Sequence, residues 1–228
     1  KLLVQPYPKN PTGEKMRRED LEAVAKVLKD TNIMIASDEI YSELTYSGKH
    51  CSIAEIEGMR ERTIVINGFS KSFAMTGWRL GFLGGPKEIV SQMLKLHQYA
   101  IMSSPTVSQY AAIVAMHSCQ KDIDAMRNEY NIRRRFVVDS FNKLGLKCFA
   151  PQGAFYVFPC IKSTGMTSTD FCEKLVYTKK VAVVPGDAFG ECGEGYVRVS
   201  YAYSLNHLRE AIKRIGEFLE DIKNGNVQ

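Results

Sequence analysis

The sequence GFSKSFAMTGWRLG at residues 68–81 is the stretch that limits the fold most sharply. It follows a short run rich in β-branched residues at 63–66 and leads into a second short run that contains glycines. Lys71 therefore follows a predicted strand within a few residues and lies in a glycine-containing loop. A lysine amine held in such a loop can be fixed and partly desolvated, which suits it to act as a nucleophile. Because most single lysines are surface residues, the neighbouring sequence has to decide between these interpretations.

On both sides of this stretch, short apolar runs alternate with helical periodicity, which is the pattern of an α/β fold. Strands are predicted at residues 2–5, 33–37, 63–66 and 79–84. An amphipathic helix is predicted over 18–30, because the apolar residues Leu21, Val24, Ala25 and Leu28 recur with helical spacing. The region 86–143 is predicted to be helical, with breaks near 103–105 and 120–122.

The composition changes after Gly145, and the remaining sequence predicts a second arrangement of elements. Strands are expected at 154–158, 181–184 and 196–201, with a helix from about 169 and a long helix over 205–223. The spacing of Thr167 and Asp170 fits a capping box at the start of the first of these helices. These elements predict a separate α+β domain, so the chain is divided into 1–120 and 121–228.

Length and composition exclude several classes of protein. The chain has 228 residues, 45% of them hydrophobic and 24% charged, which is ordinary for one large domain or two of uneven size. Its formal net charge of +5 is spread along the chain and does not predict binding to nucleic acid. No apolar run reaches the roughly 18 residues of a membrane helix, and no secretory signal is visible. The six cysteines lack metal spacing, so free thiols in a reducing, cytoplasmic compartment and no metal site are expected.

Each of the first three predicted strands is followed by residues with useful chemistry. The turn sequence Asn10-Pro11-Thr12-Gly13 follows the first strand, and Asp38 and Tyr41 follow the second. Lys71 follows the third. Open α/β sheets bind ligands at the carboxyl ends of their strands. Several such features in order along the chain predict a binding site at this edge of the sheet.

Taken together, these motifs resemble those of the class I and II aminotransferases, enzymes that use pyridoxal 5′-phosphate (PLP). The resemblance rests on the Asn-Pro-x-Gly turn, the Asp-x-x-Tyr pair and the Ser-Lys-x(7)-Arg signature, and it extends to PQGAFY at 151–156 and YVRVS at 196–200. It implies the type I fold of PLP-dependent transferases. Residues 1–120 would be the C-terminal part of the large mixed-sheet α/β domain that binds PLP, and 121–228 the smaller C-terminal α+β domain.

The resemblance also implies roles for residues around the cofactor ring. Lys71 would hold PLP as a Schiff base, and Asp38 would pair with the pyridine nitrogen and keep it protonated, which makes the ring an electron sink. Tyr41 and Asn10 would hydrogen-bond the phenolate oxygen of the ring. These roles make Lys71, Asp38 and Tyr41 the implied catalytic residues.

Further residues are implied at the phosphate and the substrate. Ser70 and Arg79 would hold the phosphate, Ser70 through its hydroxyl and Arg79 through its bidentate fork. Many members of the family place the phosphate-binding hydroxyl two positions before Ser70, where this sequence has Gly68. Arg198 would bind the α-carboxylate of the substrate, with Asn10 beside it.

The implied activity is transfer of an amino group between an L-amino acid and a 2-oxo acid by a ping-pong mechanism, in a cytoplasmic homodimer with no nucleic-acid or membrane partner. Members of the family are longer, and the part corresponding to their N-terminal portion is absent, so residues 1–228 are expected to be a fragment. Two alternatives remain at this stage: a PLP-dependent carbon–sulfur lyase of the same fold, and a non-catalytic regulator domain of the aminotransferase type.

Overall fold

The computed structural model describes residues 1–226, which form two compact units. The first unit contains Lys1–Asn10, Glu14–Arg127 and Gln152–Ala154. The second contains Pro11–Gly13, Asn128–Pro151 and the residues from Phe155 onward. The division into functional domains 1–120 and 121–228 stays a prediction, and its last two residues, 227 and 228, lie outside the described residues.

The first unit is built on a mixed four-stranded sheet. Its strands are β1 (Leu2–Pro6), β2 (Met34–Asp38), β3 (Thr63–Gly68) and β4 (Gly81–Gly84), in the order β1-β2-β3-β4. The first three are parallel, and β4 is antiparallel to β3. All four predicted strands are present. The fourth was predicted to begin at Arg79, which is wrong because Arg79 has a left-handed backbone with φ of 51° and cannot extend a strand.

A helix covers one face of this sheet, as the periodicity predicts. The helix α1 (Arg18–Leu28) connects β1 to β2, the crossover that two parallel strands require. Its apolar residues Leu21, Ala25 and Leu28 are buried in one cluster with Ile35 of β2. This packing fixes β2, the strand that ends in Asp38, against the rest of the unit.

Apart from β4, the chain from β3 to residue 143 is mainly helical. The predicted break near 103–105 is confirmed, whereas the second break lies at Cys119 and not at 120–122, which are helical. A single-turn helix α2 (Phe69–Ser72) follows β3, and the longer helices are α3 (Lys87–Ala100), α4 (Thr106–Ser118) and α5 (Gln120–Lys143). Pro86 and Pro105 precede α3 and α4, where a missing backbone N–H costs nothing. Only Cys119 separates α4 from α5. Within residues 1–226, no helix is both long and apolar enough to cross a bilayer.

The second unit contains a small antiparallel sheet of three strands. Its strands are β5 (Tyr156–Val157), β6 (Val184–Pro185) and β7 (Val197–Ser200), in the order β5-β7-β6, and its own helices are α6 (Ser168–Lys179) and α7 (Leu205–Lys223). The strand predicted at 154–158 is shorter than expected because Ala154 has a left-handed φ of 58°. The helix predicted from Leu205 to Lys223 is confirmed in full, and Thr167 caps α6 by accepting the Asp170 N–H at 3.1 Å.

Candidate active site

One edge of the first unit's sheet gathers six of the seven predicted site residues. Because β1, β2 and β3 are parallel, their carboxyl ends meet at the same edge, where Pro6 is paired with Asp38 and Asp38 with Ile66. The antiparallel strand β4 starts at that edge, since Gly81 is paired with Gly68 at the end of β3. The register therefore places the loops after β1, β2 and β3 and the loop before β4 along one line.

Asp38 is the last residue of β2, and the peptide group that joins it to Glu39 makes hydrogen bonds to the chain on both sides of the strand. Its carbonyl accepts the Tyr7 N–H at 3.2 Å, and the following N–H, that of Glu39, donates to Ile66 at 2.8 Å. The Asp38 Oδ1 accepts the Ile40 N–H at 3.2 Å. Tyr41 is buried in the turn that follows. Backbone hydrogen bonds thus determine where this acid and this phenol stand.

Lys71 and Ser70 lie in the single turn of α2 immediately after β3. Phe69 and Ser72, the first and last residues of the turn, are buried, and the Phe69 ring packs against Phe73 and Phe82 with centroids 5.0 and 5.7 Å apart. Ser70 and Lys71, between them, are only partly buried. The packing of Phe69 holds the start of the turn in place, while the residues that carry the hydroxyl and the amine stay partly accessible to solvent.

Arg79 is brought to the same turn by an irregular loop. The Phe69 N–H donates to the Leu80 carbonyl at 3.2 Å, which joins the start of α2 to the residue next to Arg79. Arg79 is exposed, and its Nη1 donates to the Thr76 carbonyl at 2.9 Å. Its left-handed backbone carries a cost of about 1–3 kcal/mol for a non-glycine residue, a kind of strain that concentrates at functional sites.

Gly68 allows β3 and β4 to approach closely at this point. A Cβ added there would lie 3.1 Å from the Gly81 Cα and 3.2 Å from both the Leu80 carbonyl oxygen and the Ile40 Cδ1. A side chain at position 68 therefore has little room. The close approach is compatible with glycine at this position, and Ser70 is the partly exposed hydroxyl of the following turn.

Asn10 lies in the turn after β1. The turn covers Asn10 to Thr12 and is closed by the Lys9 N–H, which donates to the Glu14 carbonyl at 2.8 Å. Gly13 follows with a φ of 71°, a conformation that glycine adopts without strain. Asn10 is exposed. The peptide bond between Tyr7 and Pro8, before this turn, is cis.

Arg198 belongs to the second unit, whereas the other six predicted site residues belong to the first. It is the second residue of β7 and is partly buried. Its guanidinium carbon lies 4.6 Å from the ring centroid of Tyr156 and 4.8 Å from that of Phe189. Aromatic side chains thus accompany this arginine, which the sequence alone did not indicate.

A buried polar network that was not predicted from the sequence lies beside Asp38 in the chain. The Glu39 carboxylate accepts hydrogen bonds from the Ser37 and Ser52 hydroxyls at 2.8 and 2.6 Å and lies 2.7 Å from the His50 Nε2. Burial raises the pKa of the Glu39 carboxyl, but the hydrogen bonds from His50, Ser52 and Ser37 outweigh burial, so its pKa lies below the ordinary value. The adjacent acids Asp38 and Glu39 at a strand end were the available signal, and nothing in the sequence pointed to His50.

The described residues contain no cluster of histidine, cysteine and acidic side chains that could hold a metal ion. All six cysteines, which fall within the described part of the chain, are free thiols. Burial raises the pKa of the Cys148 and Cys172 thiols to about 12, so these two act as apolar core residues.

Comparison with known proteins gives a consistent set of relatives. The family model for class I and II aminotransferases matches residues 1–215. A putative aminotransferase, YugH, of Bacillus subtilis is 50% identical over 212 residues, which are 93% of this chain and 55% of that protein. The aspartate aminotransferase of Pyrococcus abyssi is 46% identical over 226 residues, 98% of this chain and 58% of that protein.

Solved structures give the same result for the fold. The aromatic aminotransferase from Pyrococcus horikoshii superposes with a TM-score of 0.94 at 44% identity, over 97% of this chain and 60% of that one. The aspartate aminotransferase from Thermotoga maritima gives a TM-score of 0.89 at 39% identity, over 96% of this chain and 56% of that one. The chain thus spans somewhat more than half the length of these relatives.

The side chains at the sheet edge fit the chemistry of PLP. An amine that can bind an aldehyde is present in Lys71, and a carboxylate that can pair with a pyridine nitrogen is present in Asp38. A hydroxyl and a guanidinium suited to a phosphate are present in Ser70 and Arg79, whose neighbours Phe69 and Leu80 are hydrogen-bonded at the β3–β4 end of the edge. The donor set is therefore complete for the parts of the cofactor that this chain is predicted to contact.

Proposed function

Because this chain belongs to the class I and II aminotransferases, whose cofactor is PLP, we propose that it transfers an amino group between an L-amino acid and a 2-oxo acid. It has the type I fold of that family. The relatives whose names state a substrate act on different amino acids, aspartate and aromatic ones among them. The proposal is therefore made for the reaction and not for one amino acid.

The observation that carries this proposal is the common sheet edge. Six side chains that are separated by as many as 69 positions in the sequence, from Asn10 to Arg79, come from loops that the register of β1 to β4 brings to one side of the sheet. Together they carry groups suited to the aldehyde, the pyridine nitrogen, the ring oxygen and the phosphate of the cofactor. A chance set of surface residues has no reason to share one strand edge in this way.

We assign the covalent and proton-transfer role to Lys71. Its Nζ would attach the cofactor in the resting enzyme, and once displaced by the substrate amine it would remove the proton from the substrate α-carbon. When bound, PLP supplies an electron sink for the charge that develops at that carbon. The half-buried position of Lys71, between the buried residues Phe69 and Ser72, keeps the amine at one place for both tasks.

Asp38, Tyr41 and Asn10 would orient the ring. The Asp38 carboxylate would hold a proton on the pyridine nitrogen by direct pairing, and the backbone bonds at Tyr7 and Ile66 keep that carboxylate in position. The Tyr41 phenol and the Asn10 amide would donate to the ring oxygen. These three residues come from the ends of two adjacent parallel strands, β1 and β2.

Two arginines would bind the negatively charged groups of the cofactor and of the substrate. Arg79, with the Ser70 hydroxyl, would hold the phosphate, and Arg198 would bind the α-carboxylate of the substrate as a bidentate pair. Asn10 would lie beside that carboxylate. Since the same residues must bind the amino acid and then the 2-oxo acid, the first product has to leave before the second substrate enters. The proposal therefore predicts ping-pong kinetics.

We further propose that the enzyme works as a homodimer in the cytoplasm. Large apolar side chains are exposed on α3 and α4, among them Leu96, Tyr99, Val107 and Tyr110. Several large exposed apolar side chains on neighbouring helices of the sequence favour an interaction surface. Six free thiols support a reducing compartment. Light scattering at several protein concentrations tests the oligomeric state, and a monomer at all of them would contradict it.

The decisive experiment is reductive trapping of the cofactor. The full-length enzyme is loaded with PLP, its absorbance spectrum is recorded, and borohydride is added before digestion and mass spectrometry. We expect an absorbance band that reduction fixes on the peptide containing Lys71, together with transamination of a panel of amino acids. Lys71→Ala should show neither the trapped label nor turnover.

Lys87→Ala is the matched control, because Lys87 is an exposed lysine of the same unit at the start of α3. It should trap the cofactor and turn over like the wild type. A label on a lysine other than Lys71, or full turnover by Lys71→Ala, would contradict the assignment. Trapping on Lys71 without exchange of amino groups would support the proposed cofactor site but contradict the aminotransferase reaction.

A further inference from the structure

Two aromatic rings contact the guanidinium of Arg198. The guanidinium carbon lies over the Tyr156 ring at 4.6 Å and over the Phe189 ring at 4.8 Å from the centroids. Both distances are well within the roughly 6 Å at which a cation is attracted by the face of an aromatic ring. Arg198 is on β7, Tyr156 is on β5, and Phe189 ends the helical turn that follows β6. Residues of three different segments of the second unit thus converge on one cation.

The two rings are themselves held by other rings. Phe189 meets Phe158 edge-on with centroids 6.4 Å apart, and Phe158 stacks on Tyr196 at 5.2 Å with nearly parallel planes. On the other side, Tyr156 packs against Phe155 at 4.7 Å. Offset and edge-to-face pairs at these distances contribute about 0.5–1.5 kcal/mol each beyond their buried area. The ring contacts of Arg198 are therefore part of a packed aromatic network and not of a mobile surface.

The kind of contact matters for what Arg198 can bind. A neutral ring attracts the cation through its quadrupole and through dispersion, and it adds no negative charge beside an incoming carboxylate. A planar guanidinium fixed in this way loses less freedom when it forms a bidentate pair, which strengthens that pair.

We propose that Phe189 is a positioning residue for the substrate carboxylate, acting with Tyr156 to hold the Arg198 guanidinium in the orientation that binds it. This inference rests on the proposed function only for the role of Arg198. Tyr156 is buried, so its removal would disturb the core as well, whereas Phe189 is 37% exposed. Phe189 is for that reason the residue at which positioning can be separated from folding.

The test compares two ligands that differ only in charge, 3-phenylpropionate and 3-phenylpropanamide. Their dissociation constants are measured by calorimetry on the PLP-loaded full-length enzyme, for the wild type, Phe189→Leu and Phe189→Tyr. For Phe189→Leu we expect carboxylate binding to weaken by about 3- to 10-fold, as loss of one cation–ring contact implies, with amide binding unchanged. Phe189→Tyr keeps a ring and should restore the wild-type values.

Steady-state kinetics give an independent readout. Phe189→Leu should raise KM for the amino acid and for the 2-oxo acid by a similar factor, with little change in kcat, because both substrates present a carboxylate to Arg198. Phe149→Leu is the matched control, since Phe149 is a phenylalanine of the same unit that is 44% exposed. It should leave both dissociation constants and both KM values as in the wild type.

Equal weakening of carboxylate and amide binding would overturn the inference, because Phe189 would then be a wall of the substrate pocket. No change in either ligand would overturn it as well. Suppose that the wild type transaminates and binds the carboxylate more tightly than the amide, as proposed. If Phe189→Leu then has the same dissociation constants as the wild type, only this inference fails. If the wild type binds the two ligands equally, the carboxylate role of Arg198 fails, and this inference with it; absence of transamination by the wild type rejects the proposed function separately.

Discussion

The two units hold their predicted functional residues by different means. In the first unit, Asp38 ends a strand of five residues and Lys71 follows one of six, and main-chain hydrogen bonds across β1, β2 and β3 fix these positions. In the second unit, Arg198 lies on a four-residue strand whose neighbours β5 and β6 have two residues each. Its guanidinium packs against Tyr156 and Phe189, and Phe189 in turn packs against Phe158.

This difference follows from what each residue has to do. A site that binds a cofactor with several distinct groups needs many side chains at fixed spacing, which a sheet edge provides through its register. A single arginine that binds one carboxylate needs only its own plane to be fixed, and a few rings are enough for that. Substitutions should therefore act differently in the two units. In the second unit, loss of side-chain packing should lower stability most. In the first unit, a change of side-chain chemistry should lower activity while the sheet edge stays folded.

The largest effect is expected from Phe158→Ala in the second unit. Phe158 is buried and contacts both Phe189 and Tyr196, so truncation removes packing on two sides. We expect the free energy of unfolding to fall by about 3–5 kcal/mol, the usual cost of replacing a core phenylalanine by alanine. Urea denaturation followed by circular dichroism measures this change. Phe149→Ala, at a residue 44% exposed, should cost clearly less, and equal losses would show that packing at Phe158 has no special role.

The next effect, from Asp38→Asn, falls on catalysis in the first unit and not on folding. Asparagine has the same shape and can still accept the Ile40 N–H, while the backbone bonds to Tyr7 and Ile66 are untouched. It loses the negative charge that is proposed to pair with the pyridine nitrogen. We expect kcat to fall by about 10²- to 10³-fold, the range seen when one electrostatic stabiliser is removed. Steady-state kinetics and a thermal melt on the same sample measure both quantities.

Asp30→Asn is the control for this prediction, because Asp30 is an exposed acid of the same unit. It should change neither kcat nor the melting temperature. If Asp38→Asn kept full activity, the role proposed for Asp38 would be rejected. If it unfolded the protein, the edge would depend on that side chain more than on its backbone ladder, and the contrast between the two units would break down.

The sequence predicted the first unit better than the second for a physical reason. Long strands and amphipathic helices such as β3 and α1 carry their own periodicity, so their presence could be read from residues close together in the chain. Two-residue strands such as β5 and β6 have no period: the strand predicted at 154–158 was too long, and the one predicted at 181–184 overlaps β6 only at Val184. The left-handed residues Arg79 and Ala154 lie just before β4 and β5, and neither residue type signals that conformation.

The candidate site shows the same division. The residues at the sheet edge were predicted because each stands in a short local motif after a strand. Tyr156 and Arg198 are 42 positions apart in the chain, and His50 and Glu39 are 11 positions apart. Contacts of this kind depend on the tertiary fold. A single sequence carries no local pattern from which they could be inferred.

An intermediate effect, on stability and on its pH dependence, is expected from Glu39→Gln in the first unit. The folded-state pKa of Glu39 is lowered, so the ionised carboxylate stabilises the fold above the unfolded-state pKa of about 4.3 and this contribution is lost as the pH falls through the folded-state pKa. Glutamine lacks the charge that accepts from His50, Ser52 and Ser37. We expect a loss of about 1–3 kcal/mol at pH 7, as for a buried charged hydrogen-bond acceptor.

Urea midpoints measured from pH 7 down to pH 3 test this prediction. The difference between the wild type and Glu39→Gln should be largest at pH 7 and should shrink toward pH 3, where the wild-type carboxylate takes up its proton. Glu57→Gln, at an exposed residue of the same unit, serves as the control and should follow the wild type. A difference that stays constant with pH would mean that the shape of the side chain, and not its charge, stabilises this part of the sheet edge.

The smallest effect is expected from Thr167→Ala in the second unit, and it bears directly on the contrast with Phe158. The Thr167 hydroxyl accepts the Asp170 N–H at 3.1 Å and donates to the Asp170 carboxylate at 2.7 Å, so alanine removes the cap of α6. Both residues are solvent-accessible, and the loss should be about 1 kcal/mol, the typical cost of removing an N-cap. Urea denaturation measures it, with Thr178→Ala, near the other end of α6, as a control that leaves the cap intact. If Thr167→Ala cost as much as Phe158→Ala, hydrogen bonding and not aromatic packing would dominate the stability of this unit, and the explanation given for the position of Arg198 would have to be abandoned.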